Sequence, residues 1–541
     1  MKLVASRWQL RTLDAFALLV LLGSTVAAAG FVERTDTPLM VAFIVLSGGA
    51  WLTAYRRVEV AWAIAVGLVM RLAMFCWSPA LSDDFYRFYW DGALWLSGYH
   101  VLDFVPSDAP ATFIDQHASV LSAMNSAGYF TVYPPLAQLV YALSAWLGQS
   151  LSGAITWMRI CLFAAECGII SLLYSLDPSP SKRGVVAYAL LPIVALEVVG
   201  NLHFESLAVL GLLFGIYAFR QNRPWASGIS LGFGVLAKLV PAIAGPALLA
   251  AWVRHSASAK TAPHSTGLSP PIRFLFGAVV MTGLGMLLFL MPADLTGFGE
   301  SLDLYFRNFE FNGSLYGIAR SIGYWIKGWN WISVVGPTLA GLAFLLILAL
   351  AGLALLRGTR SLPETLLWSF GIYLACATTV HPWYVIYLVA IGALTPYRWP
   401  YLWAFTVLLS YDAYNHQPIE VPAILTALQY LPVYALAAYE WFTREGSAHH
   451  ASQAAAKTRC TPRRIAPTAL SRTYGASQDA RGLPARPTTQ IEQQLLPGQG
   501  QLLAPRKRAS GKYMQPRLRQ EGLRSVRGYR SVAPTCAPVS R

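Results

Sequence analysis

The chain has 541 residues, of which 55% are hydrophobic and only 12% charged, with 18 Trp and a mean hydropathy of +0.46. That balance excludes an ordinary soluble domain and points to an all-α polytopic membrane protein, since a bilayer crossing needs a run of roughly 20 apolar residues. The net charge of +15 does not indicate a nucleic-acid-binding body: after residue 450 there are 17 Lys+Arg against 3 Asp+Glu, and the remainder is close to neutral.

Apolar runs long enough to span begin near Asp14, Pro38, Glu59, Gly153, Gly184, Phe204, Ile272, Trp331, Leu362 and Ile419, with shorter ones between. The expectation is a bundle of about 12–14 transmembrane segments. Val26-Ala27-Ala28-Ala29 imitates a signal-peptidase site, but the spans behind it favour a retained first helix. Six cysteines include no C-x-x-C pair, so neither a disulfide frame nor a zinc site is expected. The abundant Trp and Tyr read mainly as interfacial belts.

Cations near span ends mark the cytoplasmic side. With Lys2, Arg7 and Arg11 inside, one register also places Arg56, Arg57, Lys182, Arg183, Arg220, Arg223, Arg254, Lys260, Arg357, Arg360, Arg398 and Arg444 inside. Both termini are then cytoplasmic, in a cell (plasma or inner) membrane. This register requires that residues 133–148 not cross as an ordinary span. It also requires that residues 225–252 enter and leave as two short helices broken at Lys238-Leu239-Val240-Pro241, which is tolerated where irregular backbone lines a cavity.

On that map the outer face collects the polar side chains: Asp83, Asp84, Arg87, Asp91, His203, Glu205, Lys238, Arg307, Glu310, Asn312, Arg320, His381, Asp412, Asn415 and His416. The densest group sits in the first outer loop, residues 78–131. If Ser82 caps a helix, Asp83 and Asp84 occupy its first turn, where exposed N–H groups favour carboxylates. Asp83, Arg87 and Asp91 then fall four apart on one face, so Arg87 can pair with both acids. Capping and intrahelical pairing explain those three residues well and Asp84 only partly, which makes Asp84 the better candidate for a base. Tyr133-Pro134-Pro135 reads as a rigid turn with Pro at the first helical position, shaping a cavity rim. His203 and Glu205 are either cleft residues or a charge pair at a helix start. Asn312-Gly313-Ser314 matches a glycosylation sequon by a short and common pattern.

The loop Ser82-Asp83-Asp84-Phe85-Tyr86-Arg87-Phe88-Tyr89-Trp90-Asp91-Gly92, followed by Thr131-Val132-Tyr133-Pro134-Pro135, resembles the first outer loop of membrane-embedded GT-C glycosyltransferases. It looks most like that of the polyprenol-phosphate-mannose-dependent mannosyltransferases. Leu236-Ala237-Lys238-Leu239-Val240-Pro241, Phe309-Glu310-Phe311-Asn312-Gly313-Ser314 and His381-Pro382-Trp383-Tyr384 extend the likeness in order over residues 10 to 440. One departure is Tyr99-His100-Val101-Leu102, where similar enzymes often carry Asn-Pro-Tyr.

The resemblance implies transfer of a hexose, mannose first among them, from a polyprenyl-phosphate donor to a lipid-linked or cell-envelope glycan at the extracytoplasmic face. It implies Asp84 as base with Asp83 as its partner, and Lys238, His381, Arg320 and Arg307 as groups for the donor phosphate. Arg87, Asp91, Tyr133, His203 and Glu205 would line the cleft. If a divalent metal, Mg or Mn, takes part, Asp83 and Asp84 are its ligands.

The likeness ends before residues 446–541, a basic low-complexity tail too poor in apolar residues to fold alone, so the transferase body is expected in residues 1–445. A secondary transporter would place its charges near the midplane in paired repeats. A flippase for lipid-linked glycans would not need a poised acid. Neither Walker A nor G-x-S-x-G occurs.

Overall fold

The computed structural model describes residues 10–258, 267–291, 297, 299–300, 303, 309–358 and 360–459, with side chains up to residue 444. The chain divides into two compact units, Met1–Pro462 and Arg463–Arg541, and all the described residues lie in the first. Arg307, Lys2, Arg7, Lys260 and most of the basic tail lie outside the described residues.

The protein is an all-α polytopic membrane protein, and its named elements are helices throughout. In chain order the α-helices of seven residues or more are α1 (Thr12–Phe31), α2 (Thr37–Arg57), α3 (Val60–Ala73), α4 (Asp84–Leu96), α5 (Pro135–Gly148), α6 (Leu151–Leu176) and α7 (Arg183–Ala189), with two shorter helices, Ala111–Gln116 and Ala118–Ala123, in the outer loop. A π-helical turn, Val194–Gly200, precedes α8 (Glu205–Arg220), α9 (Pro224–Ala237), α10 (Gly245–Ser258) and α11 (Pro270–Leu290). Then come α12 (Ser314–Lys327), α13 (Ile332–Arg357), α14 (Leu362–Cys376), α15 (Ile386–Gly392), α16 (Trp399–Thr406) and α17 (Ala423–Arg459).

Among the described residues, α1, α2, α6, α11 and α13 are long and apolar enough to cross a bilayer, and α7 with the π-helical turn forms a sixth candidate bent by 53°. The 26 residues of α6 and of α13 reach about 39 Å at 1.5 Å per residue. The 14 residues of α5 reach only about 21 Å, too little for a bilayer core of about 30 Å. The segment expected to dip without crossing therefore has the length for it.

Starts and breaks follow local chemistry. Asp36 accepts the Leu39 N–H (3.2 Å) at the head of α2, Ser150 accepts that of Gly153 (3.1 Å) at the head of α6, and Ser361 with Glu364 closes a capping box on α14. Pro135 occupies the first turn of α5, where a missing N–H costs nothing. Between α9 and α10 the helix breaks at Lys238, which is extended (φ −160°, ψ 141°), and resumes through a 3₁₀ turn containing Pro241. Pro241 has no N–H to continue the ladder.

Leu284, Leu287 and Leu288 on α11 and Phe344, Leu345 and Leu346 on α13 are exposed, whereas Arg71, Glu166, Gln138 and Glu205 are buried. Apolar outside and polar within is the pattern a bilayer imposes. One end of the bundle is tied together by cations. Arg57 pairs with Asp14 (2.6 Å), Arg183 donates to the Tyr55 and Val58 carbonyls (2.9 Å each), Arg220 to the Leu176 carbonyl and Arg444 to the Pro396 carbonyl (2.9 Å). The opposite end carries the acidic loop.

Candidate functional site

Helix α4 begins one residue later than expected. Asp83, not Ser82, stands at the cap position, and the Ser82 hydroxyl accepts the Asp84 N–H (3.3 Å). Asp83 therefore lies off the helical stripe and pairs with Arg34 of the α1–α2 loop (2.7 Å), whose guanidinium also covers the Tyr414 ring at 4.5 Å. The expected pairing of Arg87 with both acids is corrected accordingly: Arg87 Nε holds Asp91 (2.7 Å), and Nη1 donates to the carbonyls of Ser126 (3.1 Å) and Tyr129 (2.8 Å). Asp91 in turn accepts from Thr131 (2.6 Å) and Gln138 (2.9 Å). This buried network ties the outer loop to α5. Gly92 permits the approach, since a Cβ there would lie 2.4 Å from the Tyr141 carbonyl oxygen.

Asp84 is left outside that network. Its two oxygens accept from Asn125 Nδ2 and Tyr133 Oη (3.3 Å each), both long bonds. Burial pushes its pKa above the ordinary aspartate value, against the opposing pull of Asn125, Lys238 and Tyr133. Tyr133 thus both shapes the rim, edge-on to Phe88 and Tyr141, and touches the acid.

The second wall comes from the break after α9. Lys238 Nζ donates to Glu205 at the head of α8 and lies 5.2 Å from the Tyr384 ring centroid. Its charge also acts on Asp84, His203 and His381. Glu205 is fully buried and its Oε2 has no hydrogen-bond partner, an arrangement that calls for an explanation such as a bound ligand.

The π-helical turn supplies a residue absent from the sequence candidates. Glu197 accepts from Tyr411 Oη (2.8 Å) and lies 3.5 Å from His203 Nε2. Leu202, between them, is held at φ +66°, a conformation rare for a residue with a side chain. A lone carboxylate inside residues 194–200 was the available signal.

His203 stacks on Trp383 (3.5 Å between ring centroids), Trp383 on His381 (4.4 Å), and His381 on Phe311 (4.6 Å). The ladder is held by a short backbone pairing in which Phe311 N–H donates to the Thr378 carbonyl (3.1 Å) and Val380 N–H to that of Phe311 (2.8 Å). Asn312 turns the chain at φ +53° and donates to the Val380 carbonyl (3.1 Å), while Ser314 is buried and bonded to Ala375 and Tyr434. The sequon is accordingly part of a structural turn.

Asp84, Tyr133, Glu205, Lys238, His203 and His381 converge. Arg320 is engaged elsewhere, by Glu420 (2.5 Å) and Glu310 (3.2 Å), and Asp412 holds Thr37 and His416. Among the described residues no three His, Cys, Asp or Glu side chains are grouped as metal ligands, and Asp83 and Asp84 turn to different partners.

Residues 10–254 match the family described as alpha-(1->6)-mannopyranosyltransferase, N-terminal domain. That stretch contains Asp84, Tyr133, His203, Glu205 and Lys238, and His381 lies beyond it. The chain is also 33% identical over 126 residues to a polyprenol-phosphate-mannose-dependent alpha-(1-2)-phosphatidylinositol mannoside mannosyltransferase of Mycobacterium tuberculosis, covering 20% of this chain and 29% of that protein. The chain thus spans less than a third of this curated relative. No solved structure matches. The resemblance to mannosyltransferases is borne out by both likenesses, and the family match covers the acidic loop and the segment at Lys238 but not those at Phe309 and His381.

Proposed function

We propose that the protein is a GT-C mannosyltransferase that moves mannose from a polyprenyl-phosphate donor to a hydroxyl of a lipid-linked or cell-envelope glycan, at the extracytoplasmic face. One observation carries this reading: Asp84, whose carboxylate is held by two long hydrogen bonds, lies within electrostatic reach of Lys238 and of the buried, half-satisfied Glu205. A flippase has no need of a poised acid, and a secondary transporter would place its charges near the midplane in paired repeats.

In the reaction Asp84 takes the proton of the acceptor hydroxyl as its oxygen forms a bond to the anomeric carbon. The bond from that carbon to the donor phosphate oxygen breaks, its electron pair leaves with the polyprenyl phosphate, and displacement in one step inverts the anomeric configuration. Lys238, with N–H donors left beyond its bond to Glu205, and His381 face the charge developing on phosphate. Glu205 Oε2 accepts a hydroxyl of the bound sugar. Arg320 serves by holding α12 to Glu310 and Glu420.

The test is incubation of membranes containing the protein with radiolabelled polyprenyl-phosphate-mannose and candidate lipid acceptors. Label in the lipid-linked product supports the reading, and transfer only from a nucleotide sugar overturns it. Asp83 and Asp84 face different partners, Arg34 and Tyr133, which argues against an ion shared between them. Transfer is expected to persist in excess chelator, and loss restored by Mg or Mn would show that the two acids share an ion.

Orientation has its own check. In a background lacking the native cysteines, Asp103→Cys is expected to react with an impermeant maleimide on intact cells and Arg56→Cys only after lysis. Both positions are exposed, so the reverse labelling would place the acidic loop in the cytoplasm and favour a nucleotide-sugar donor.

A further inference from the structure

Helix α12 has two unlike faces. Leu315, Ile318, Ile322 and Ile326 recur at three- and four-residue spacing and fall on one stripe, with Trp325 beside them. All five are exposed, Trp325 to 86%. Tyr316, Arg320 and Tyr324, four apart, form the opposite stripe, and polar partners engage it. Tyr316 Oη donates to Glu310 and to Asn330 (3.1 Å), Arg320 pairs with Glu310 and Glu420, and its guanidinium lies 5.4 Å from the Tyr324 ring centroid. The polar stripe is thus turned to the protein's own charges and the apolar one away from them, the reverse of a helix that packs on a core.

Both ends of α12 are tied to the acidic-loop end of the bundle. At its head the Ser314 hydroxyl donates to the Ala375 carbonyl in the last turn of α14 (3.0 Å). At its foot Gly328 closes the helix at φ +81°, and the spanning candidate α13 begins at Ile332. Lys327 lies 5.4 Å from the ring of Trp331, the residue before α13. With 14 residues α12 reaches about 21 Å and is too short to cross a bilayer. An apolar stripe continued into the first turn of a spanning helix, and bordered by Trp325, Trp329, Trp331 and a lysine, has the composition of a segment that rests among lipid headgroups.

We propose that α12 lies in the plane of the bilayer surface at the acidic-loop end, with its apolar stripe sunk into the lipid. The partner is the lipid surface itself. Docked there, α12 fixes the level of Phe311, which stacks on His381 (4.6 Å), so that this wall of the cleft stands at the depth of a lipid phosphate. The docking holds whichever reaction the cleft performs.

The experiment uses the full chain, lacking its native cysteines, in phospholipid nanodiscs. A nitroxide is attached at Leu315→Cys, Ile318→Cys, Ile322→Cys, Ile326→Cys or Tyr324→Cys, all exposed positions, and its collisions with oxygen and with a water-soluble nickel complex are compared. The four apolar-stripe labels are expected to favour oxygen severalfold more than the Tyr324 label does, at one common depth of about 5–10 Å. A spread of about 16 Å between the labels at 315 and 326, the rise over eleven residues, would show the helix standing along the membrane normal and overturn the proposal. Nickel dominating on both stripes would place α12 in water and overturn it too. So would exclusion of both reagents from the apolar stripe, or dipolar broadening between labels, which would show a protein surface or a second copy covering it. The unsubstituted chain gives a further reading. A phospholipid with a diazirine near its glycerol should cross-link to the apolar stripe and leave Arg320 and Tyr324 unmarked, whereas equal marking of the two stripes contradicts the docking.

Discussion

Asp84→Asn is expected to lower mannosyl transfer by roughly 10²–10⁴-fold, the usual contribution of a positioned general base, while the protein remains folded. The amide keeps the shape of the carboxylate and can still meet Tyr133 and Asn125, but it has no basic oxygen for the acceptor proton. The pH profile gives a second check. Burial raises the pKa of Asp84, so the ionised form that acts as base is lost as pH falls through a value above that of an ordinary aspartate. Wild-type transfer should therefore show an acid limb in that range, and the residual activity of the Asn variant should lack it. An Asn variant as active as the wild type would remove Asp84 from the chemistry. Asp83→Asn is expected to cost less, because Asp83 is tied to Arg34 and holds the α1–α2 loop against the acidic loop.

The largest loss of stability is expected from Arg71→Met. Arg71 on α3 pairs with Glu166 on α6 (2.9 Å), both side chains fully buried, and also donates to the carbonyls of Gly67 (2.9 Å) and Ala189 (2.8 Å). Tyr188 donates to the same glutamate (3.0 Å). Removing the cation strands a carboxylate in a low-dielectric interior, which costs about 3–5 kcal/mol, whereas removing both charges together is often close to neutral. Thermal unfolding of the purified protein should show a much lower midpoint for Arg71→Met and substantial recovery in Arg71→Met with Glu166→Leu. An unchanged midpoint in the single variant would mean that the pair is not buried as described. This pair lies within the helical body, so it also separates a structural ion pair from the catalytic cluster: both are buried charges, but only the cluster leaves acceptor atoms unsatisfied.

The elements were legible before any contact was known, because their causes are local. Run lengths set by bilayer thickness placed α1, α2, α6, α11 and α13. Pro241 and the charge of Lys238 marked the break between α9 and α10, and Pro135 marked the head of α5. The cations that gather at one end of the bundle were legible as loop residues, and the ordered segments around Asp84, Lys238 and His381 were legible as a set. Tertiary structure decided which of these groups meet. Asp83 was expected to join Arg87 through helical spacing, but a start of α4 one residue later turned it to Arg34, which is 49 positions away in sequence and has no periodic relation to it. The alliance of Lys238 with Glu205 and the stacking of His203 on Trp383, which also stacks on His381, join segments far apart in sequence. Periodicity reports which face of one element a side chain occupies. It carries no information about which other element packs there, and that choice set the chemistry of the cleft.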